Sequence, residues 1–181
     1  NGYSDEWIAE AEKRGLPNVK TMVDATASLL YPKTIEIFER QHVYTKTELE
    51  SRAEINYEAY AKAINIEAKT MIHMASKEYI PAIISYVTSL GDSINSISAG
   101  AEADLSVQKD LLTTCSSLLA KAQTALYALK DADKKANAME EGKEQAEFFR
   151  DTVFTAMADL RAPIDELEMI VDKEYWPVPS Y

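Results

Sequence analysis

The sequence predicts an all-α fold, and two features of the chain carry this prediction. Glycine and proline, which interrupt helices, number only five and six among 181 residues. From Leu49 to Ile97, apolar side chains follow one another in thirteen steps of three or four residues, an average of about 3.7 that matches the α-helical period of roughly 3.6. With two further stretches of this kind, the sequence predicts an antiparallel up-down-up bundle of three long helices, preceded by short N-terminal helices.

For residues 1–44 the sequence pattern predicts short helices that lead into the bundle or cap it. Ser4 is a typical N-cap because two acidic residues follow it, and Gly15 predicts the end of that first helix. Asn18 is the candidate N-cap of a second helix, which Pro32 would end. The opening of the chain is therefore expected to wrap or lead into something larger.

Residues 45–181 predict the bundle itself. The three long helices are expected at about 45–98, 102–138 and 143–173. Thr45 and Glu48 have the spacing of a capping box, in which a hydroxyl and a carboxylate bond free backbone N–H groups at a helix start. A proline inside a helix removes one hydrogen bond and crowds the carbonyl four residues earlier. Pro81 therefore predicts a kink in the first long helix, and Pro163 predicts a kink or break in the third.

Aromatic residues near both ends of the chain are candidate docking contacts. Trp7 lies near the start, while Tyr175 and Trp176 open a C-terminal tail that is predicted to be extended. Tryptophan and tyrosine combine a large apolar surface with one polar group, so they are common anchors at protein interfaces. We therefore expect these three residues to serve docking and not chemistry.

The net charge and the cysteine content limit the classes of function that the chain can have. The net charge of −11 argues against nucleic-acid binding, which requires a basic surface. No apolar run approaches the roughly 20 residues of a membrane span. Cys115 is the single cysteine and lies among leucines, so we expect a buried thiol and no intrachain disulfide. These properties fit a protein of the reducing cytoplasm.

The sequence shows no motif for a catalytic, cofactor-binding or metal-binding site. A di-iron bundle needs Glu-x-x-His on two facing helices, but this spacing occurs once, from Glu39 to His42, and His73 has a threonine at the matching position. No phosphate-binding glycine loop and no nucleophile motif occur. We therefore expect no enzyme activity from this chain by itself.

The ten tyrosines leave a second interpretation open. Tyr60, Tyr79 and Tyr86 lie on the apolar stripe of the first long helix. They could line a cavity in a stand-alone helical bundle that binds a small ligand or a protein partner. They could also pack their rings inward and leave their hydroxyl groups at the rim of the core.

Several short motifs add a family resemblance. Within the first long helix they are Glu50-Ser51-Arg52, Glu54-Ile55, Ile64-Asn65-Ile66-Glu67-Ala68, Thr70-Met71 and Pro81-Ala82. Two flanking pieces are Ala11 to Asn18 and, with Asp172 ahead of it, Trp176 to Tyr181. In this order the motifs resemble the C-terminal region of type III glutamine synthetases. Ala53 and His73 depart from the pattern.

This resemblance implies a function that periodicity cannot show. It implies a non-catalytic helical domain that serves oligomer assembly or regulation, in an enzyme that joins ammonia to glutamate with ATP and a divalent metal. The glutamate-binding and ATP-binding motifs of such enzymes are absent from this sequence, so the resemblance implies no catalytic, cofactor or metal residue here. The implied partners are the catalytic domain and the neighbouring subunits of a ring-built homo-oligomer.

Three polar residues of the resembling motifs are not required by the apolar stripe. They are Arg52, Asn65 and Glu67. Because core packing does not explain them, we expect Arg52 or Glu67 to make a specific polar contact, within the domain or with the catalytic part. Asn65 is a further candidate for such a contact.

Overall fold

The structure is a computed structural model that describes residue 2 and residues 4–179. Its α-helices are α1 (Asp5–Lys13), α2 (Met22–Ala27), α3 (Pro32–Arg40), α4 (Lys46–Met74), α5 (Ile80–Gly100), α6 (Ser106–Ala136), α7 (Lys143–Phe148) and α8 (Phe154–Glu168). No strand occurs among the described residues, and the predicted all-α fold is confirmed. Ser180 and Tyr181, which close the resembling C-terminal piece, lie outside the described residues.

Three long helical runs contain most of these elements. A π-helical turn at Ala75–Tyr79, the first π turn, joins α4 to α5 without a break, and α6 forms the second run. The second π turn, at Phe149–Val153, joins α7 to α8 in the third run. Helix α6 packs against both α5 and α8. These contacts support the up-down-up order of the three runs, which stays a prediction.

The contacts within the chain divide it into two compact units. One unit extends up to Tyr60, and the other begins at Ala61. This boundary lies inside α4, whereas the division expected from the sequence lies where the first long run begins. The predicted division between residues 44 and 45 stays a prediction.

Side-chain caps set the starts of the short helices in the first unit. Ser4 caps α1 as predicted, since its Oγ accepts a hydrogen bond from the Trp7 N–H at 3.3 Å. The cap of α2 is Thr21 and not Asn18, because Thr21 Oγ1 accepts a hydrogen bond from the Asp24 N–H at 3.1 Å. Both residue types are good caps, so the sequence offered two starts for α2 and the later one is used.

The predicted capping box is present at the start of α4. The Glu48 N–H donates to Thr45 Oγ1 at 3.3 Å, and the Thr45 N–H donates to Glu48 Oε2 at 2.7 Å. The Thr45 hydroxyl donates to the same carboxylate oxygen at 2.9 Å. The backbone hydrogen bond first, then the hydroxyl and the charge of Arg52, hold the pKa of Glu48 below its usual 4.5. The Lys46 N–H donates to Glu39 Oε1 at 3.1 Å, which satisfies a further backbone donor of this turn.

The first π turn keeps buried side chains of the first long run on one side. Ala75 and Ile80 are both buried although they are five residues apart. In a regular α-helix this spacing would point the two side chains in different directions, but a π turn takes more residues per turn. The Ile80 N–H accordingly donates to the Ala75 carbonyl. This irregularity lies where the kink was predicted, since Pro81 cannot bond the Lys77 carbonyl and crowds it.

Helix α6 begins at Ser106, later than the predicted start at about 102. Asp104 Oδ1 accepts a hydrogen bond from the Ser106 N–H at 2.9 Å, while Leu105 between them is buried. The predicted burial of Cys115 on α6 is confirmed, and this burial raises the pKa of its thiol.

The third long run contains Pro163 without a break. Helix α8 continues through this buried proline and ends at Glu168. Of the predicted kink or break at Pro163, the break is therefore wrong and the kink stays a prediction. The run also ends earlier than expected. The irregularity of the run lies instead at the second π turn, where a backbone N–H donates to the Phe149 carbonyl from five residues later. Phe149, Val153 and Met157 are all buried at two successive steps of four. Residues four apart share a face of a helix, so these three side chains stay on the buried side through the second π turn.

Replacing Glu48 by glutamine tests the capping box through its pH dependence. The folded-state pKa of Glu48 is lowered, so its carboxylate stabilises the fold at pH values above the unfolded pKa of about 4.3. This stabilisation is lost as the pH falls through the lowered folded-state pKa. We expect Glu48→Gln to melt at a lower temperature than the parent near neutral pH, and the difference to shrink as the pH falls below the unfolded pKa and through the lowered folded-state pKa.

Circular dichroism melts across this pH range measure the effect, with Glu54→Gln as the matched control. Glu54 is exposed on the same helix and makes no hydrogen bond or ion pair within the described chain. The control should follow the parent at every pH. A melting difference for Glu48→Gln that does not change with pH, or that the control shares, would contradict the assigned role.

Candidate docking surfaces

The described residues hold no cluster of three or more His, Cys, Asp or Glu side chains placed to bind a metal ion. The Cys115 thiol is buried with a raised pKa, which disfavours the reactive thiolate form. Over the same part of the chain, no helix has both the length and the apolar composition of a membrane span. The features that stand out are a groove in the first unit and two in the second.

The N-terminal groove, defined by Trp7, Ile8, Ala11, Leu16 and Pro17, lies in the first unit and has a volume of about 680 Å³. Its largest side chains are uncovered, since 37% of Trp7 and 50% of both Ile8 and Leu16 are exposed. No residue of α1 is buried. The predicted docking residue Trp7 therefore lies in an apolar surface of the kind that binds partners.

A charged residue holds Trp7 in place within this unit. The Arg14 guanidinium lies 5.7 Å from the centre of the Trp7 ring. Arg14 Nε also donates to Glu10 Oε1 at 2.7 Å, in an exposed ion pair. Both contacts order the side chains around the groove, although exposed pairs of this kind contribute little to stability.

The predicted candidate Arg52 is exposed and contacts an aromatic ring. Its guanidinium lies 4.2 Å from the centre of the Tyr44 ring, a favourable distance for a cation–π interaction. Tyr44 in turn lies 5.6 Å from Phe38, ring centre to ring centre. Arg52 thus connects α4 to Tyr44, in the turn that follows α3.

Asn65 forms a side-chain pair across the second unit. Its Nδ2 donates to Asn137 Oδ1 at 2.9 Å, and Asn137 Nδ2 donates back to Asn65 Oδ1 at 3.2 Å. Asn137 is the C-cap of α6 and also donates to the Asp133 carbonyl at 2.7 Å. Gln145 Nε2 donates to the neighbouring Ala136 carbonyl at 3.1 Å. The pair therefore joins α4 to the end of α6, where helix carbonyls need partners.

Glu67 lies in a second groove, the α4/α8 groove, which has a volume of about 560 Å³. This groove also contains two largely exposed apolar residues, with 67% of Ile66 and 54% of Phe154 accessible. The Glu67 carboxylate is exposed and has no hydrogen-bond or ion-pair partner among the described residues. No contact among the described residues of the second unit therefore accounts for a carboxylate at this position.

The C-terminal tail folds back onto the second unit. The Asp172 carbonyl accepts hydrogen bonds from the Tyr175 N–H at 2.9 Å and the Trp176 N–H at 3.1 Å. The prediction of an extended tail is therefore wrong at these residues, because the backbone turns on Asp172. Trp176 is only 8% exposed and lies 5.1 Å from the Tyr79 ring centre, while Tyr175 lies 5.6 Å from Tyr86. Both tail residues thus anchor the tail to its own unit.

The tail covers a third groove, here named the tail pocket, with a volume of about 320 Å³. It is lined by Met74 and Tyr79 on one side, by Ile164 and Glu168 of α8 on the other, and by Pro179 of the tail. Burial first, and then the negative charges of Glu168, Glu78 and Asp165, raise the pKa of Tyr79. The cavity that the tyrosines suggested therefore includes Tyr79, whereas Tyr60 and Tyr86 do not line it.

Asn137 and Tyr44 are contact residues that the sequence did not reveal. Asn137 lies 72 positions from its partner Asn65, so no local pattern connects them. The available signal was its place after a long apolar-periodic stretch, where asparagine often ends a helix. Tyr44 precedes the capping box directly, but cation–π contacts leave no spacing rule that would have paired it with Arg52.

A family model described as "Glutamine synthetase C-terminal domain" matches residues 1–98. The chain belongs to this family. Along its whole length it is similar to a glutamine synthetase of Butyrivibrio fibrisolvens (35% identity), a type-3 glutamine synthetase of Dictyostelium discoideum (31%) and a glutamine synthetase of Bacteroides fragilis (28%). These alignments cover 26%, 25% and 26% of the relatives, so the chain spans about a quarter of their length.

The predicted resemblance to the C-terminal domain of type III glutamine synthetases is confirmed. The matched segment of this glutamine synthetase C-terminal domain contains the N-terminal groove and the three polar candidates Arg52, Asn65 and Glu67. Tyr175 and Trp176 lie outside that segment but inside the alignments with the relatives. The candidate surfaces therefore lie either in the segment that matches the family model or in the remainder of the chain, which aligns with the relatives.

A double-mutant cycle tests the contact between Asn65 and Asn137. Each alanine replacement should destabilise the domain, since it leaves the other amide without its partner. The two changes together should cost less than the sum of the separate costs, with a coupling free energy of about 1 kcal/mol for the shared hydrogen bonds. Urea unfolding of the parent, both single variants and the double variant gives the four free energies.

Asn95→Ala provides the control for this cycle. Asn95 is exposed on α5 in the same long run, and it makes no hydrogen bond within the described chain. Its combination with Asn137→Ala should be additive. Additivity for Asn65 and Asn137 as well would show that the two amides do not stabilise each other.

Proposed function

We propose that this chain acts as the C-terminal domain of a type III glutamine synthetase, where it serves oligomer assembly or regulation and performs no catalysis of its own. Family membership carries the proposal, together with the fraction of each relative that the chain covers. The remaining three quarters of those relatives leave room for a catalytic part. This domain then docks on that part or on a neighbouring subunit.

The N-terminal groove supports this role. An isolated short helix is unstable in water and depends on packing of its apolar face. In α1, Trp7 and Ile8 remain exposed and no residue is buried, so its apolar side chains have room for a further protein surface. Charged side chains of Glu12 and Lys20 flank the groove. An apolar centre with a polar rim is the usual composition of protein interfaces.

Under this proposal the chemistry belongs to the catalytic part of the parent enzyme. That part would bind ATP and a divalent metal and would ligate ammonia to glutamate, while this chain holds no cofactor. The partners are the catalytic domain and neighbouring subunits in a homo-oligomeric ring, without nucleic acid or membrane. The net charge of −11 and the buried single cysteine agree with such a role in the cytoplasm.

A second candidate function is a helical module that binds a small ligand. The tail pocket favours it, because this pocket combines apolar walls with charged side chains from α8. The two functions are compatible, since the N-terminal groove belongs to the first unit and the tail pocket to the second.

The isolated chain should not form glutamine from glutamate, ammonia and ATP. The physical reason is that its sequence lacks a phosphate-binding loop and the substrate motifs of such ligases. Release of phosphate and formation of glutamine are measured with magnesium or manganese present, beside a complete synthetase as positive control. Turnover that follows the chain through successive purification steps would refute a non-catalytic role.

Polar replacements in the N-terminal groove test assembly. In a synthetase polypeptide that carries this domain, the combined change of Trp7, Ile8 and Leu16 to serine should alter the mass of the oligomer or its regulation by effectors. The fold should survive, because none of the three side chains is buried. Size-exclusion chromatography with light scattering measures the mass, and circular dichroism confirms the fold.

The control replaces exposed residues away from that groove. Val107 and Tyr127 are 66% and 64% exposed on α6, and their change to serine should leave the oligomer unchanged. An oligomer of unaltered mass and regulation after the groove replacements would contradict a docking role for this surface.

A further inference from the structure

The tail pocket has the shape and size of a small-molecule site. Its volume of about 320 Å³ lies at the lower end of the range for ligand pockets, roughly 300–1,000 Å³. Met74 and Tyr79 form one wall, Ile164 lies on the other, and Pro179 of the tail covers part of it. Because Trp176 anchors the tail against Tyr79, this cover is held by packing within the same unit.

The charged side chains that α8 contributes to the pocket favour a cation. Arg161 Nε donates to Asp165 Oδ2 at 2.9 Å, so these two charges largely neutralise each other. Glu168 is half-buried and has no hydrogen-bond or ion-pair partner among the described residues. It is also the last residue of α8, where the helix dipole adds partial negative charge. Arg161 also interacts electrostatically with Glu168, although more weakly than with Asp165. Two carboxylates and one guanidinium therefore line the pocket, which leaves a net charge of −1 beside its apolar walls.

The neighbouring tyrosine reports the same negative potential. Tyr79 lines the pocket, and after burial the Glu168 carboxylate is the largest cause of its raised pKa. Tyr79 and Glu168 therefore line the same pocket, and the carboxylate is close enough to act on the phenol. An aromatic ring next to a carboxylate attracts organic cations, because both the ring face and the carboxylate are negative.

We propose that the tail pocket binds a small organic ammonium ion, with its cationic head beside Glu168 and its apolar body against Tyr79, Met74 and Ile164. This inference rests on the second candidate function, a helical module that binds a small ligand, and names the chemical class of that ligand. The net negative charge of Arg161, Asp165 and Glu168 together disfavours anions. The pocket selects against small inorganic cations through its apolar walls, which such ions cannot use.

Fluorescence of Trp176 tests the proposal on the chain itself. The sequence has two tryptophans, so Trp7→Phe leaves Trp176 as the single reporter, 5.1 Å from the Tyr79 ring centre. Three probes of similar size are titrated at equal ionic strength: 2-phenylethylammonium, 2-phenylethanol and 3-phenylpropionate. We expect a saturable change with the ammonium ion, at least tenfold weaker binding of the alcohol, and no binding of the carboxylate.

Three replacements at two positions of α8 distinguish the effect of the pocket carboxylate from the effect of overall charge. Glu168→Gln should weaken binding of the ammonium ion by roughly tenfold or more, as expected for the loss of a charged hydrogen-bond partner. Glu168→Lys should abolish it. Glu166→Gln makes the same charge change at an exposed position that does not line the pocket, and it should bind like the parent.

Circular dichroism first establishes that each variant is folded. No saturable response to 2-phenylethylammonium, equal responses to all three probes, or equal affinities of Glu168→Gln and Glu166→Gln would each overturn the proposal. Because the titration uses this chain alone, its outcome does not depend on whether the domain assembles a synthetase.

Discussion

The second unit depends on keeping one side of its first long helical run buried across Pro81. Proline cannot give the backbone hydrogen bond that an α-helix needs at that point, and its ring crowds the preceding turn. The first π turn resolves both problems by adding residues to the turn, so Ala75 and Ile80 remain buried together. Tyr79, the last residue of this turn, is thereby placed where the C-terminal tail can pack on it.

The C-terminal tail packs on the first π turn and so forms a tertiary contact there. Trp176 packs on Tyr79 and Tyr175 packs on Tyr86, one on the π turn and the other on α5. The indole N–H of Trp176 is buried without a hydrogen-bond partner in the described chain, and such a group costs about 1–3 kcal/mol. Apolar packing of the ring must exceed that cost, which explains why the chain turns on Asp172 instead of continuing as an extended tail.

Local features of the sequence were enough to predict the helices and several of their ends. The Thr45–Glu48 capping box and the Ser4 cap follow rules about residues three apart, and both are present. Features that depend on distant partners could not be predicted in this way. Tryptophan is common at protein interfaces, so the sequence alone suggested that Trp176 binds a partner. Only its contact with Tyr79 shows that it packs on its own unit. No proline lies in or directly after the second π turn, so the sequence offered no reason to predict it.

The polar residues of the family motifs divide into two kinds, and this division bears on function. Asn65 satisfies Asn137 at the end of α6, so its role is explained within the second unit. Glu67, only two residues later, points to no partner in the described chain and lies beside exposed Ile66. Another polar residue in this exposed apolar groove would stabilise the domain as much as the Glu67 carboxylate does. Recognition of another surface would explain this carboxylate, in agreement with the proposed docking role.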